Sequence, residues 1–259
     1  MHFYKYQGTG NDFIVIDDRT QSFQLSKEQI AHLCHRRFGI GADGLMLLQN
    51  ADGYDFAMVY YNSDGSLGTM CGNGGRCLVR FASDLGIVQT VANFIAVDGP
   101  HEAFIDPEKI SLKMQDVKHV ASQGKDFFTN TGSPHHVIIA SNIHETDVYS
   151  IGKEIRNSTI YAHQNGTNVN FLEQNGENSI FVRTYERGVE DETYSCGTGV
   201  TAAALIAHEQ LKLKSPVQIE TLGGFLSVKF NGNNATGYKD IFLTGPAKKV
   251  FEGELRVES

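Results

Sequence analysis

The chain has little that points to a macromolecular partner. Its 22 Lys and Arg residues stand against 30 Asp and Glu, a formal net charge of -8 at pH 7 with a pI ≈ 5.7, and this balance argues against nucleic acid as a partner. No apolar run approaches the ~20 residues of a membrane-spanning helix. Met1-His-Phe-Tyr-Lys-Tyr-Gln7 has neither the charged start nor the apolar core of a secretory signal, so the expectation is a cytoplasmic protein without membrane association. Only 4 cysteines occur in 259 residues, and in a reducing compartment they are expected to stay thiols. None belongs to a Cys-x-x-Cys pair, which disfavours a zinc or dithiol motif and leaves His32, Cys34 and His35 without a ligand pattern; no metal is expected. A Walker-type phosphate loop is also missing. Gly39-Ile-Gly-Ala-Asp-Gly44 spells the dinucleotide pattern, but it follows a helical segment and precedes a strand, the reverse of the order that site needs, and reads as a tight turn. There is no low-complexity segment and no long linker. What remains is a small-molecule ligand.

What is present is a repeated element. Cys71-Gly-Asn-Gly74 opens one apolar helical segment and Cys196-Gly-Thr-Gly199 opens another, one in each half of the chain. A helix start carries N–H groups without intrahelical acceptors and a partial positive charge, so it attracts anions and favours a thiolate placed there. Glycine lets that backbone approach a ligand closely. Two such elements converging on one carboxylate are the layout of a two-base epimerase. The α-proton of an amino acid is very weakly acidic, because deprotonation adds charge beside an existing carboxylate. Two helix ends would stabilise the developing dianion more than the ground state. One thiolate would remove the proton while the opposite thiol delivers another to the other face, so each direction needs one cysteine charged and one neutral. Cys34 and Cys77 read as packing residues.

Apolar and alternating β-rich runs recur along both halves, at 13–17, 45–49, 54–61, 110–114, 136–140, 168–172, 180–185, 217–220, 225–230, 241–244 and 250–257. Helices are expected from Ser26, where Ser26-Lys-Glu-Gln29 has capping-box spacing, into Arg36, then after Cys71 to near Gly86, around 147–156, and after Cys196. Residues 122–133 read as a loop. Each half places strands before and after its Cys-Gly-x-Gly helix. The order lacks the βαβ alternation of a doubly wound sheet, so the expectation is a duplicated α+β fold of mixed or antiparallel sheet wrapped on a central helix. Glu186-Arg187 lies just before Cys196, where Arg can grip a carboxylate and Glu can pair with an ammonium.

Taken together, these stretches resemble the diaminopimelate epimerases almost from end to end. The resemblance is carried by Gly8-Thr-Gly-Asn-Asp-Phe13, Arg37-Phe-Gly-Ile-Gly-Ala-Asp-Gly-Leu45, Asn62-Ser-Asp-Gly-Ser66, Met70 to Cys77, Thr131-Gly-Ser-Pro-His135, Gly166-Thr-Asn-Val-Asn-Phe171, Arg183 to Gly188, Ser195 to Gly199 and Gly245-Pro-Ala247. It implies two similar domains, residues 1–114 with 247–259 and residues 115–246, each a barrel-like mixed sheet around a central helix, with substrate in the cleft between. It implies interconversion of LL- and meso-diaminopimelate without pyridoxal phosphate or any other cofactor, by a homodimer, in lysine and peptidoglycan precursor synthesis. Cys71 and Cys196 would be the catalytic pair. Gly72, Asn73, Gly197 and Thr198 would bind the α-carboxylate, while Asn11, Asn62, Asn168, Glu186 and Arg187 would hold the distal centre. His135 and Glu186 would tune the thiol acidities. Gly44, where some members carry Gln, and Ser133, where many carry Asn, depart from the family pattern. The alternatives are a proline or hydroxyproline racemase-like isomerase and a non-catalytic thiol redox sensor with a Cys71 to Cys196 disulfide.

Overall fold

The computed structural model describes residues 1–255. In chain order its elements are β1 (His2–Gly8), β2 (Asn11–Asp17), α1 (Lys27–Cys34), β3 (Gly44–Gln49), β4 (Phe56–Asn62), α2 (Gly72–Asp84), β5 (Val91–Ala96), β6 (Gly99–Ile105) and β7 (Lys109–Lys113). There follow β8 (Ala121–Gln123), β9 (Asp126–Asn130), β10 (Pro134–Ile139), α3 (Val148–Arg156), β11 (Asn168–Gly176), β12 (Ser179–Glu186), β13 (Asp191–Thr193) and α4 (Gly197–Leu211). The last strands are β14 (Val217–Thr221), β15 (Gly224–Asn233), β16 (Gly237–Pro246) and β17 (Lys248–Glu254). Two compact units form, one from Met1–Leu112 and the chain from Gly245 onward, the other from Lys113–Thr244.

Each unit repeats one series of strand pairings. In the first, β17, β1 and β2 pair antiparallel in turn, β2–β3 is parallel, β3–β4 antiparallel, β4–β5 parallel, and β5, β6 and β7 finish antiparallel. In the second, β8, β9 and β10 pair antiparallel, β10–β11 is parallel, β11–β12 antiparallel, β12–β14 parallel, and β14, β15 and β16 finish antiparallel. Parallel neighbours need a crossover connection, and helices occupy all of them: α1 and α3 at the first parallel step, α2 and α4 at the second. The short β13 is an addition on β12. The fold is therefore α+β with mixed sheet.

Both central helices are largely buried, and α4 is apolar on every face because sheet surrounds it. On α4, Val200 and Thr201 through Ala207 are all buried, packed with Val137, Leu172, Val182, Val217, Ile219 and Val228. A helix apolar on every face is stable only when covered on every face. Along α2 the run Gly72–Val79 is buried as well. On the opposite side of the first sheet, Ile14, Ile16, Leu45 and Leu47 pack with Ile30 of α1.

Local departures from the sequence reading have local causes. The Ser26 capping box forms, with Ser26 N donating to Gln29 Oε1 at 2.8 Å and Gln29 N to Ser26 Oγ at 3.3 Å. The helix stops at Cys34 rather than Arg36, because His35 Nδ1 accepts from Arg37 N and Phe38 N and draws the chain into a turn. Residues 122–133, expected as a loop, contain the end of β8 and all of β9, whose Phe127 and Phe128 pair with Val137 and His136 of β10. The final strand begins at Lys248, and Arg256 and Val257 lie outside the described residues.

Candidate active site

Each unit carries one half-site at the start of its central helix. Cys71 is the N-cap residue of α2 with φ -112° and ψ 123°, and Cys196 is the N-cap of α4 with φ -114° and ψ 114°. The matching angles give both thiols one launch geometry. Their carbonyls accept the first helical bonds, from Gly75 N at 2.7 Å and Val200 N at 2.9 Å. Neither side chain caps its helix, so the first-turn N–H groups that follow, among them those of Gly72, Asn73, Gly197 and Thr198, are not claimed by the cysteine sulfur.

Register shows which other residues correspond. In the first unit Phe13 lies opposite Gly44, and Gly44 opposite Asn62. In the second, His135 lies opposite Asn168, and the Val169–Tyr185 pairing puts Asn168 across from Glu186. Asn11 thus matches Ser133, Gly44 matches Asn168, Asn62 matches Glu186, and Asn73 matches Thr198. Every expected contact residue falls on one of these positions or beside it.

In the first half-site, Asn11 Nδ2 donates to Asp43 Oδ2 at 2.5 Å, which turns Asn11 Oδ1 toward Asn73 Nδ2 at 3.3 Å and Cys71 Sγ at 3.7 Å. Asp43 is held in turn by Arg36, which also bonds Asp12 beside the buried Lys5. These cations hold the Asp12 carboxyl down at about 2, against the opposing effect of its burial. Arg76 lies wholly inside, donating to Gly72 O, Asn73 Oδ1 and Thr9 Oγ1; burial lowers its pKa. Asn62 closes a turn, with its N–H bonded to Ser66 O at 2.9 Å and its amide to Ser66 Oγ at 3.3 Å. Gly44 is explained by packing: a β-carbon there would sit 2.5 Å from the Tyr60 ring and 2.6 Å from Tyr61 O.

The second half-site replaces amides with hydroxyls. Cys196 Sγ lies 3.5 Å from Thr198 Oγ1, which lies 3.1 Å from Ser133 Oγ, which lies 2.9 Å from His135 Nε2. His135 is fully buried, and that burial, reinforced by the charge of Arg187, pushes its pKa down to about 3. It is a neutral imidazole that reaches Cys196 through Ser133 and Thr198. Asn168 donates to Pro134 O and accepts from Arg187 N at 2.9 Å. The Arg187 guanidinium donates to Gln164 O at 3.0 Å, while Glu186 Oε2 accepts from Thr193 Oγ1 at 3.0 Å.

Several members of these networks lie within the recurring motifs but carry no role in the sequence reading: Asp43, Arg76, Asn170 and Thr184. Asn170 donates to His135 Nδ1 and His136 O at 3.1 Å and accepts from Thr184; the signal for it is its place in Gly166-Thr-Asn-Val-Asn-Phe171, two residues beyond Asn168. Cys34 and Cys77 are packing residues, their thiols raised by burial to about 11 and about 12. None of the four cysteines forms a disulfide. Among the described residues, no three His, Cys, Asp or Glu side chains gather as a metal-ligand set, and no helix is long and apolar enough to cross a membrane.

The geometry can be set beside known proteins. Solved structures share the architecture: a phenazine biosynthesis protein of the PhzF family from Bacillus anthracis aligns with TM-score 0.76 at 13% identity over 99% of both chains. A probable proline racemase from Agrobacterium radiobacter K84 aligns with TM-score 0.70 at 14% identity, over 99% of this chain and 93% of the other. At such identities the likeness is one of fold. Sequence relatives are much nearer. A protein named diaminopimelate epimerase from Flavobacterium psychrophilum is 52% identical over 97% of this chain and 99% of its own length, and one of the same name from Aquifex aeolicus is 40% identical over 100% and 99%. The family model described as diaminopimelate epimerase matches residues 3–119 and 127–250, spanning both cysteine helices. By that extent and identity, the chain belongs to the diaminopimelate epimerase family.

Proposed function

We propose that this protein is an isomerase that interconverts LL- and meso-diaminopimelate, with Cys71 and Cys196 as the two acid–base groups. The observation that carries the reading is the pair of cysteines at equivalent helix starts, with equal backbone angles, in units that repeat one series of strand pairings. In each direction one thiolate takes the α-proton and the other thiol protonates the opposite face. The first-turn amides around Gly72, Asn73, Gly197 and Thr198 receive the α-carboxylate, and their hydrogen bonds strengthen as it becomes the dianionic enediolate. Asn11, Asn62, Asn168, Glu186 and Arg187 hold the distal amino-acid head, and the chemistry needs no cofactor. His135 and Glu186 act on thiol acidity from outside the reacting atoms. The two units are proposed as the two domains of the epimerase.

The mismatch between half-sites supports this substrate. A symmetric inversion site would suit a small amino acid, whereas a substrate with a second head needs neighbours that differ. Asn62 facing one half-site and Glu186 occupying its counterpart in the other fit that need. The proline racemase-like alternative has only distant fold similarity in its favour. The remaining details, a homodimer working in the cytoplasm in lysine and peptidoglycan precursor synthesis, rest on the family. Reduced protein without pyridoxal phosphate should convert LL-diaminopimelate to the meso isomer, and Cys71→Ala or Cys196→Ala should abolish conversion. Turnover retained by either variant, or proline racemised in preference, would overturn the assignment.

A further inference from the structure

We propose that Ser133 is a positioning residue for the second thiol: its hydroxyl orients that of Thr198 so that the Thr198 proton is delivered to Cys196 Sγ, which makes Cys196 a ready base. This rests on the two-thiol reading and deepens it by assigning the direction of a hydrogen-bond chain.

The direction follows from groups that can only donate or only accept. Asn170 Nδ2 faces the backbone carbonyl of His136 at 3.1 Å, which fixes its amide, and the same nitrogen donates to His135 Nδ1 at 3.1 Å. Since His135 is neutral and its Nδ1 accepts, its proton sits on Nε2 and points at Ser133 Oγ, 2.9 Å away. Asn168 is fixed in the same manner. Its Oδ1 accepts from Arg187 N and its Nδ2 faces Pro134 O, so its second N–H points at Ser133 Oγ at 3.3 Å. With both lone pairs engaged, Ser133 gives its own proton to Thr198 Oγ1 at 3.1 Å. The Thr198 proton is then directed onto Cys196 Sγ at 3.5 Å.

The first unit has the opposite sense at the equivalent place. Asn11 Oδ1, turned toward Cys71 by Asp43, is an acceptor only, so Cys71 donates its S–H there. Within its unit the titratable member of the Ser133 chain is His135 on β10, and the charge bearing on it is that of Arg187; the Glu186 carboxylate at the end of β12 accepts from Thr193. His136 points away, to Tyr161 and Asp126. Arg76 is the cation that bears on Cys71 and Cys77.

The test is a thiolate titration by ultraviolet absorbance in Cys71→Ala protein. Cys34 and Cys77, raised to about 11 and about 12, stay protonated up to about pH 9, so among the cysteines Cys196 is the one that should titrate there. Adding Ser133→Ala should raise its midpoint by about one unit, a tenfold loss of thiolate below the midpoint, since a hydrogen bond to a charged group is lost. Ser133→Thr, which keeps the hydroxyl, should leave the midpoint in place. Thr198→Val should give the same rise as Ser133→Ala, and combining them should add nothing further. A midpoint unmoved by Ser133→Ala, or moved equally by Ser133→Thr, would overturn the assignment. In Cys196→Ala protein, Ser133→Ala should leave the Cys71 midpoint unchanged; an equal shift there also overturns it. The titration uses no substrate, so failure to epimerise diaminopimelate would sink the functional reading and leave this one standing.

Discussion

Gly74 and Gly199 close equivalent Cys-Gly-x-Gly turns, yet replacing each by alanine should have very different consequences. A β-carbon on Gly74 would meet Met46 Sδ at 3.1 Å, the end of a flexible thioether chain that can yield. On Gly199 it would overlap Asn170 Oδ1. Asn170 is fully buried and makes three bonds: it accepts from Thr184 at 3.0 Å and donates to His135 Nδ1 and His136 O at 3.1 Å each. Moving it strands one or two buried polar groups at about 1–3 kcal/mol each, partly offset by the up to about 1 kcal/mol that alanine gains over glycine in a helix. Gly199→Ala should therefore destabilise by about 2–4 kcal/mol, against about 1 kcal/mol or less for Gly74→Ala. It should also lower turnover steeply, because Asn170 sets the His135 tautomer. Urea denaturation followed by circular dichroism, with epimerase rates on the same samples, measures both. Gly199→Ala within about 0.5 kcal/mol of wild type, or Gly74→Ala equally damaging, would refute the packing argument.

Other perturbations separate roles in the same way. His135 is held neutral, with its pKa pushed down to about 3 by burial and then by Arg187. The unfolded chain therefore binds a proton below about pH 6.5 that the folded protein refuses, and stability should fall by roughly 1.4 kcal/mol per pH unit from there toward pH 3. His135→Gln should flatten the slope of unfolding free energy by that amount between about pH 4 and pH 6, and an unchanged slope would show that His135 is not held neutral. Cys77→Ala should keep epimerase activity and cost about 1 kcal/mol for the small cavity, in contrast to complete loss at Cys71; inactivity of a folded Cys77→Ala protein would give that thiol a chemical role. Arg183 binds Glu192 through Nε at 2.6 Å and Nη2 at 2.8 Å and donates to Ile143 O and Thr146 O. Arg183→Met should cost about 2–4 kcal/mol, and Arg183→Lys should restore only part, since one ammonium cannot span that fork; full restoration by Lys would reduce the site to simple charge pairing.

The legibility of this chain in its sequence was uneven for physical reasons. Helix starts announce themselves through local chemistry, so the Ser26 capping box and the elements following Cys71 and Cys196 could be placed from spacing alone. Their stopping points depend on nonlocal or unusual bonds, as with His35 Nδ1 ending α1 two residues early. The β9 strand was hidden because Asp126 to Asn130 mixes polar and aromatic residues, and only pairing with β10 makes that pattern a strand. The candidate site divides in the same manner. Cysteine and glycine in a repeated motif are visible, whereas the matching of Gly44 to Asn168 and Asn62 to Glu186 exists only in strand register. Ser133 was visible as a family departure, but its meaning required the fixed amides of Asn168 and Asn170 around it.

The central claim is that two thiols act from opposite faces of one α-carbon, and solvent labelling during turnover tests it most directly. LL-diaminopimelate is incubated with the reduced protein in deuterium oxide, and both isomers are followed by mass spectrometry from the earliest conversion. A two-base reaction delivers the incoming hydrogen from a cysteine that has exchanged with solvent, while the abstracted proton stays on its partner and returns to substrate on reversal. Deuterium should appear at once in the meso product and stay low in the remaining LL substrate. Equal early labelling of both isomers would mean a single base serving both faces, and would contradict the account.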